Sequence, residues 1–337
     1  MKLRRKAMSE FPFSAVAAKV MAAKKALILT HLRPDGDALG STFGMAEFLR
    51  KQNIAADVLM PGALPRRYQR LFIGALPDLA AEKLDEYDLF IALDCANGAR
   101  LGCGSDFTLD DLLTRNFVCI DHHGGNSLNA PAAWISPGHA STCQMVMEFI
   151  DALRLPFTAA GATFLLTGMM TDTGCFCFSN TKGDTLRSAA LALDRGADLE
   201  LISNQVFFNK PLSQLKFESE LVEKQLRVVC GGKFAYACIT DELLAKYDFD
   251  LREDEGLIDI LRGLENVVIA MLVHHRQDGW RVSLRSKDSR YPVVDVARQF
   301  GGGGHALAAG CTIDVADFAE IEREMTAIFD RILTEGA

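Results

Sequence analysis

Short apolar runs alternate with stretches of helical periodicity along the first half of the chain. Residues 26–30, 56–60, 88–94 and 117–121 are nearly unbroken in apolar character and end at turn or polar residues, so they predict strands buried on both faces. Apolar positions at helical spacing predict helices over 13–23, 41–51, 139–153, 158–170 and 184–195, the last closed by Gly196. Strands alternating with helices predict an α/β domain on a doubly wound, mainly parallel sheet. Residues 199–227 are charged and largely helical in spacing, with no strong strand signal. From 234 the pattern restarts, with strands at 234–239, 266–274 and 280–285, the last two joined by a Gln277-Asp-Gly turn. Helices are expected there over 241–246, 253–261, 293–299 and 317–333. The expected organisation is a domain at 1–198, a helical connector at 199–228 and a smaller C-terminal α/β domain at 229–337.

Composition narrows the class. A chain of 337 residues with 49% apolar content is long enough for two cores. No run approaches the ~18 apolar residues of a membrane helix, so no membrane association is expected. The basic start, Met1-Lys-Leu-Arg-Arg-Lys, is interrupted by Glu10 and Lys19 and reads as a lead-in to the first helix, not as a signal peptide. Nine cysteines without a C-x-x-C pair predict reduced thiols in a cytoplasmic protein and argue against structural zinc; Cys175 and Cys177 stand too close together for a metal knuckle. A net charge of −8 disfavours long nucleic acid, whose binding rests on many basic contacts to phosphate, but leaves room for a short phosphate substrate.

Chemistry concentrates where the elements end. His31-Leu-Arg-Pro-Asp35-Gly-Asp37 follows the first strand, where the carboxyl edge of a parallel sheet opens into a ligand crevice. Two readings fit it: hard oxygens and an imidazole around a divalent cation, or a Pro-Asp-Gly turn in which Asp37 caps the next helix and His31 is a surface residue. Asp94 ends the third strand, and Asp121-His122-His123 ends the fourth. There one imidazole can ligate metal while the other faces substrate, with Asp121 orienting either from behind. Asp172 follows an apolar helix. So many carboxylates in one crevice would repel one another without cations. Two divalent metals relieve this and serve displacement at phosphorus.

Late in the chain stands Gly301-Gly-Gly-Gly-His305-Ala-Leu-Ala-Ala-Gly310. A glycine run alone is a flexible loop or a phosphate-cradling turn; with His305 it fits a nest of backbone amides. Arg285 reads as a phosphate contact, because its guanidinium suits bidentate binding, while Lys287 is left open. His139, His274 and His275 lack matching partners and read as structural residues.

These segments, in this order, resemble the DHH phosphoesterase superfamily, named for the tripeptide at Asp121-His122-His123, and the glycine–histidine motif resembles that of its DHHA1 substrate-binding domain. The resemblance runs from about Ala26 to Asp314, with no departure at a motif position. It implies an active site in a cleft between the domains and two divalent ions, Mn²⁺ foremost with Mg²⁺ or Co²⁺ as substitutes. His31, Asp35 and Asp94 would hold one ion; Asp37, Asp94, His122 and Asp172 would hold the other, with Asp94 bridging. His123 would contact the scissile phosphate or protonate the leaving group, Asp121 would lie behind the ligands, and a metal-bridging hydroxide would be the nucleophile. Arg285, Gly302, Gly303, Gly304 and His305 would bind substrate. Domain content resembles the compact nano-RNase group, which implies hydrolysis of very short oligonucleotides and of 3′-phosphoadenosine 5′-phosphate, with no long duplex partner; a homodimer is compatible with the sequence, which does not fix the oligomeric state. Alternatives are a cyclic or linear dinucleotide phosphodiesterase, a RecJ-like exonuclease, or a non-catalytic nucleotide sensor.

Overall fold

The computed structural model describes residues 11–251, 256–276 and 279–335; the basic start, residues 253–255 of one expected helix, and Gln277 and Asp278 of the expected turn lie outside the described residues. The chain forms two compact units, residues 1–209 and 210–337.

The first unit is built on β1 (Lys25–Leu29), β2 (Ala55–Val58), β3 (Leu89–Leu93), β4 (Phe117–Asp121) and β5 (Ala132–Ile135). Their order is β2-β1-β3-β4-β5 and every pairing is parallel. The strand order reverses between β1 and β3, which is the switch point where such sheets open a crevice at their carboxyl ends. β5 was not expected: four residues after Pro131, with Ala133 facing solvent, carry too little apolar signal.

Helices α1 (Ser14–Ala22), α2 (Gly36–Lys51), α4 (Thr142–Leu153) and α5 (Ala159–Asp172) bury one sheet face. The short helix α3 (Leu109–Leu113) and loop residues such as Leu79, Tyr87 and Phe107 cover the other. Helix α6 (Gly183–Asp194) packs outside α4 and α5.

Helices α2 and α5 pack unusually closely through Gly36, Gly40 and Gly44, one per helical turn. A methyl added at these positions would collide with the Thr171 side chain, the Phe164 carbonyl oxygen and the Leu165 side chain respectively. The close approach sets the first turn of α2, with Asp37, beside the last turn of α5, with Asp172.

The second unit carries a six-stranded sheet in the order β10-β11-β9-β8-β7-β6. Its strands are β6 (Arg227–Val229), β7 (Phe234–Ile239), β8 (Ile269–Arg276), β9 (Gly279–Ser286), β10 (Gly303–His305) and β11 (Ala308–Ile313). Only β7 and β8 pair in parallel. The C-terminal helix, Phe318–Glu335, buries Ile321, Met325, Phe329 and Leu333 on one sheet face. Phe217 and Leu221 pack on the other face.

The stretch expected to be a connector at 199–228 is divided between the units. Ile202 and Val206 join the first core, whereas Phe217 and Leu221 join the second. Among the described residues no helix is long and apolar enough to cross a membrane.

Gly40→Ala should lower stability by about 1–3 kcal/mol, the usual cost of forcing a methyl into a packed interface. Gly138→Ala, where an added methyl meets nothing within 4 Å, should leave the urea midpoint in place. Equal midpoints for the two variants would contradict the packing role of the glycine stripe.

Candidate metal centre

Each candidate ligand in the first unit is aimed by a different element. His31 follows β1 and is buried. Its Nδ1 lies 2.9 Å from the Leu32 carbonyl oxygen, which can only accept, so Nδ1 carries the proton and the Nε2 lone pair faces the site. Nε2 stands 4.0 Å from Asp35 Oδ2 and 3.8 Å from Asp94 Oδ2. Asp35 caps α2: its Oδ1 accepts from the Asp37 and Ala38 N–H groups at 3.1 and 3.0 Å. The cap that the turn reading gave to Asp37 therefore belongs to Asp35, and its second oxygen remains directed at His31.

Asp37 has another use. Its Oδ2 accepts from the Thr142 N–H at 2.7 Å and its Oδ1 from the Cys143 N–H at 2.9 Å, the first two amides of α4. Ser141 caps the same helix by accepting from the Gln144 N–H at 3.0 Å. The carboxylate thus sits where a helix has unpaired donors and the positive end of its dipole.

Asp94 stands in the left-handed region, φ +55°, a conformation Asp tolerates better than most residues. Its carboxylate is buried between two histidines. Oδ2 faces His31, while Oδ1 lies 3.5 Å from His122 Nε2 and accepts from Thr142 Oγ1 at 2.9 Å. His122 Nε2 is also 3.8 Å from Asp37 Oδ2 and 3.5 Å from Asp172 Oδ2. The His122 ring is held by the backbone of His139. Asn180 Nδ2 ties Asp172 down by donating to its carbonyl at 3.0 Å and to that of Ala140 at 3.1 Å.

Asp121 is fully buried and lies behind this layer. Its Oδ1 accepts from His123 Nδ1 at 2.7 Å and its Oδ2 from Asn126 Nδ2 at 2.7 Å. Burial opposes the charged imidazolium at His123, but the Asp121 hydrogen bond and the charges of Asp94, Asp121 and Asp172 outweigh it and raise the pKa to about 9. Burial, reinforced by the charges of Asp94, Asp172 and Asp35, pushes the Asp37 carboxyl well up, and burial lowers His122.

The donor set fits divalent cations. His31, Asp35 and Asp94 offer ligand atoms within 4.8 Å of one another, and so do Asp37, Asp94 and His122. The separations of 3.5–4.0 Å between imidazole nitrogens and carboxylate oxygens exceed hydrogen bonds. They suit hard ligands grouped about a cation held at roughly 2.1 Å. A third group, Asp94, Asp121 and His123, is accounted for by the Asp121–His123 hydrogen bond.

In the second unit, His305 faces Ala308 across β10 and β11, and Ala308 faces Arg285 across β11 and β9. Directly opposed residues share a sheet face, so Arg285 and His305 flank the small Ala308 on one side. The glycine run forms an edge strand at Gly303–His305 in place of the expected loop. Gly302 departs further from the amide nest: its N–H donates to the Ala297 carbonyl at 2.9 Å and closes the preceding helix, Val294–Gln299. Lys287 is spent on the Leu264 carbonyl at 2.6 Å. His139 contacts Ser136 and Glu148 at 2.8 and 3.0 Å, His274 meets Arg276 at 2.6 Å, and His275 lies against the Trp280 ring, so all three have structural partners.

The sequence pattern does not announce Thr142, Asn126 or Asn180. Ser141-Thr142 carries a helix-start signal, but nothing local says that the helix starts against Asp37 and Asp94.

Residues 25–169 match the model of the DHH family's N-terminal domain, and residues 231–332 match that of the DHHA1 domain. A Thermus thermophilus protein named bifunctional oligoribonuclease and PAP phosphatase NrnA is 31% identical over 92% of this chain and 90% of its own. A Bacillus subtilis protein of the same name is 26% identical over 86% of this chain and 90% of its own. The fold is shared with an exopolyphosphatase-related protein from Bacteroides fragilis, at 23% identity and a TM-score of 0.82, covering 96% of this chain and 97% of that one.

Thr142→Val removes the donor to Asp94 Oδ1 while keeping the side chain's volume. Mn²⁺ affinity, measured by titration calorimetry, should fall about 10–100-fold, and Thr142→Ser should retain most of it. Equal affinities for the Val variant and the parent would contradict a positioning role for the hydroxyl.

Proposed function

Since the chain belongs to the DHH phosphoesterase family, with a DHHA1 domain following its DHH domain, and is a hydrolase of phosphoester bonds, we propose that it cleaves very short oligoribonucleotides and 3′-phosphoadenosine 5′-phosphate. The observation that carries this reading is Asp94, whose two carboxylate oxygens face His31 and His122 from opposite sides. The names of the Thermus and Bacillus relatives supply the substrate class. The net charge of −8 agrees with a short substrate over long duplex nucleic acid.

On this reading His31, Asp35 and Asp94 hold one divalent cation, and Asp37, Asp94, His122 and Asp172 hold the other, with Mn²⁺ the preferred ion. Bound there, the cations would supply Lewis-acid stabilisation of phosphoryl charge and make water a nucleophile near neutral pH. Asp121 fixes the His123 ring by accepting from Nδ1, so Nε2 is the atom that meets the phosphate and holds the proton for the departing oxygen. The Asp121 hydrogen bond favours the protonated ring, consistent with that task.

Arg285 and His305, on one sheet face, bind the substrate's terminal phosphate, with the edge strand at Gly303 and Gly304 beside them. Gripping an end while cutting the next phosphodiester makes length a determinant of rate.

A graded series of oligoribonucleotides in Mn²⁺, run beside 3′-phosphoadenosine 5′-phosphate, cyclic dinucleotides and pyrophosphate, tests the assignment. Dinucleotides should turn over at least about tenfold faster than strands of many nucleotides, a preference of about 1.4 kcal/mol. Asp94→Ala should abolish every activity. His305→Ala should mainly impair substrates that depend on the end grip. Equal rates across all lengths would contradict end recognition, and selective hydrolysis of cyclic dinucleotides or pyrophosphate would move the assignment elsewhere in the family.

A further inference from the structure

Arg100 carries none of the roles described so far, yet its place is built with care. It ends a short 3₁₀ turn, Gly98–Arg100, which Asn97 caps by accepting from the Ala99 N–H at 2.8 Å. The Arg100 carbonyl accepts from the Leu32 N–H at 2.7 Å, and the Gly102 N–H donates to the Thr30 carbonyl at 2.7 Å. His31 and Leu101 form a β-bridge between these two hydrogen bonds. Leu101 is thus stitched on both sides to the strand end that carries His31, and the carbonyl of Arg100 is one of the two ties.

The side chain is exposed, yet it lies against the site. Guanidinium Nη2 stands 3.4 Å from His31 Nδ1. That nitrogen already donates to the Leu32 carbonyl, so the approach sets two donors together and leaves the donors of the guanidinium largely unspent. Among the described residues no carboxylate forms an ion pair with Arg100, although its charge reaches Asp35. An ordinary surface arginine near several acids would pair with one of them. This one is held beside a carboxylate-rich centre without neutralising any single member.

We propose that Arg100 binds a non-bridging oxygen of the phosphate group delivered to the metal centre. The planar fork of donors matches the oxygens of a phosphate group. With cations in the centre, Arg100 and the ions repel one another until an anion lies between them. Its contribution therefore appears in phosphate binding and is absent from metal binding. The proposal rests on the reading of the centre as a divalent-metal phosphoesterase site and does not depend on which phosphoester is cleaved.

The test is the affinity of inorganic phosphate for the Mn²⁺-loaded protein, with Mn²⁺ affinity and thermal midpoint measured in parallel. Arg100→Gln should weaken phosphate about tenfold or more, and Arg100→Lys should give an intermediate value, with Mn²⁺ affinity and midpoint unchanged. Phosphate affinity within twofold of the parent in the Gln variant would overturn the proposal. So would a fall matched by an equal fall in Mn²⁺ affinity, which would show Arg100 acting through His31. Failure to hydrolyse short oligoribonucleotides would strike the substrate assignment alone and leave this comparison standing.

Discussion

Asp37 and Asp94 hold two almost fully buried carboxylates around one imidazole, that of His122, and Asp172 adds a third oxygen to the same nitrogen. Buried like charges at this spacing are costly, and the fold meets the cost in layers. The first amides of α4 hold both oxygens of Asp37, and the Thr142 hydroxyl holds Asp94. The Asp121 hydrogen bond and the nearby carboxylates raise the pKa of His123 at the edge. These partners orient the carboxylates, yet burial and the neighbouring acids still push the Asp37 carboxyl well up. That crowding of acids is what divalent cations bound there would relieve.

The rest of the first unit is arranged to deliver those groups. A parallel sheet with its order reversing between β1 and β3 brings His31 and Asp94 to neighbouring strand ends, and β4 adds His122 alongside. The glycine stripe of α2 does the same work in the helical layer. By letting α5 approach closely, it sets Asp172 at the end of one helix next to Asp37 at the start of the other. Gly168 continues this contact, for a methyl there would stand 2.8 Å from Asp37 Oδ1. Helix packing and carboxylate placement are thus one structural problem.

Much of this arrangement is legible in the sequence. Asp94 and Asp121 end runs whose apolar character marks buried strands, so their position at the sheet's carboxyl edge followed from periodicity alone. What escaped prediction shares a cause: it depends on residues far apart in sequence or on backbone hydrogen bonding. Thr142 looks like an ordinary helix start until α4 docks against Asp37, more than a hundred positions earlier. Gly302 looks like a free amide until its N–H is seen closing the helix before it. Ala132–Ile135 is too short and too polar on one side to declare itself a strand. Helical spacing at 199–228 could not say that Val206 and Phe217 belong to different cores, because packing partners, and not periodicity, decide that.

The central claim is that Asp94 is shared between two cation sites. Anomalous diffraction from crystals grown with Mn²⁺ tests it most directly. Two peaks are expected, one among His31, Asp35 and Asp94 and one among Asp37, Asp94, His122 and Asp172, with both lost in Asp94→Ala crystals. A single peak, or two peaks that survive the loss of Asp94, would contradict it.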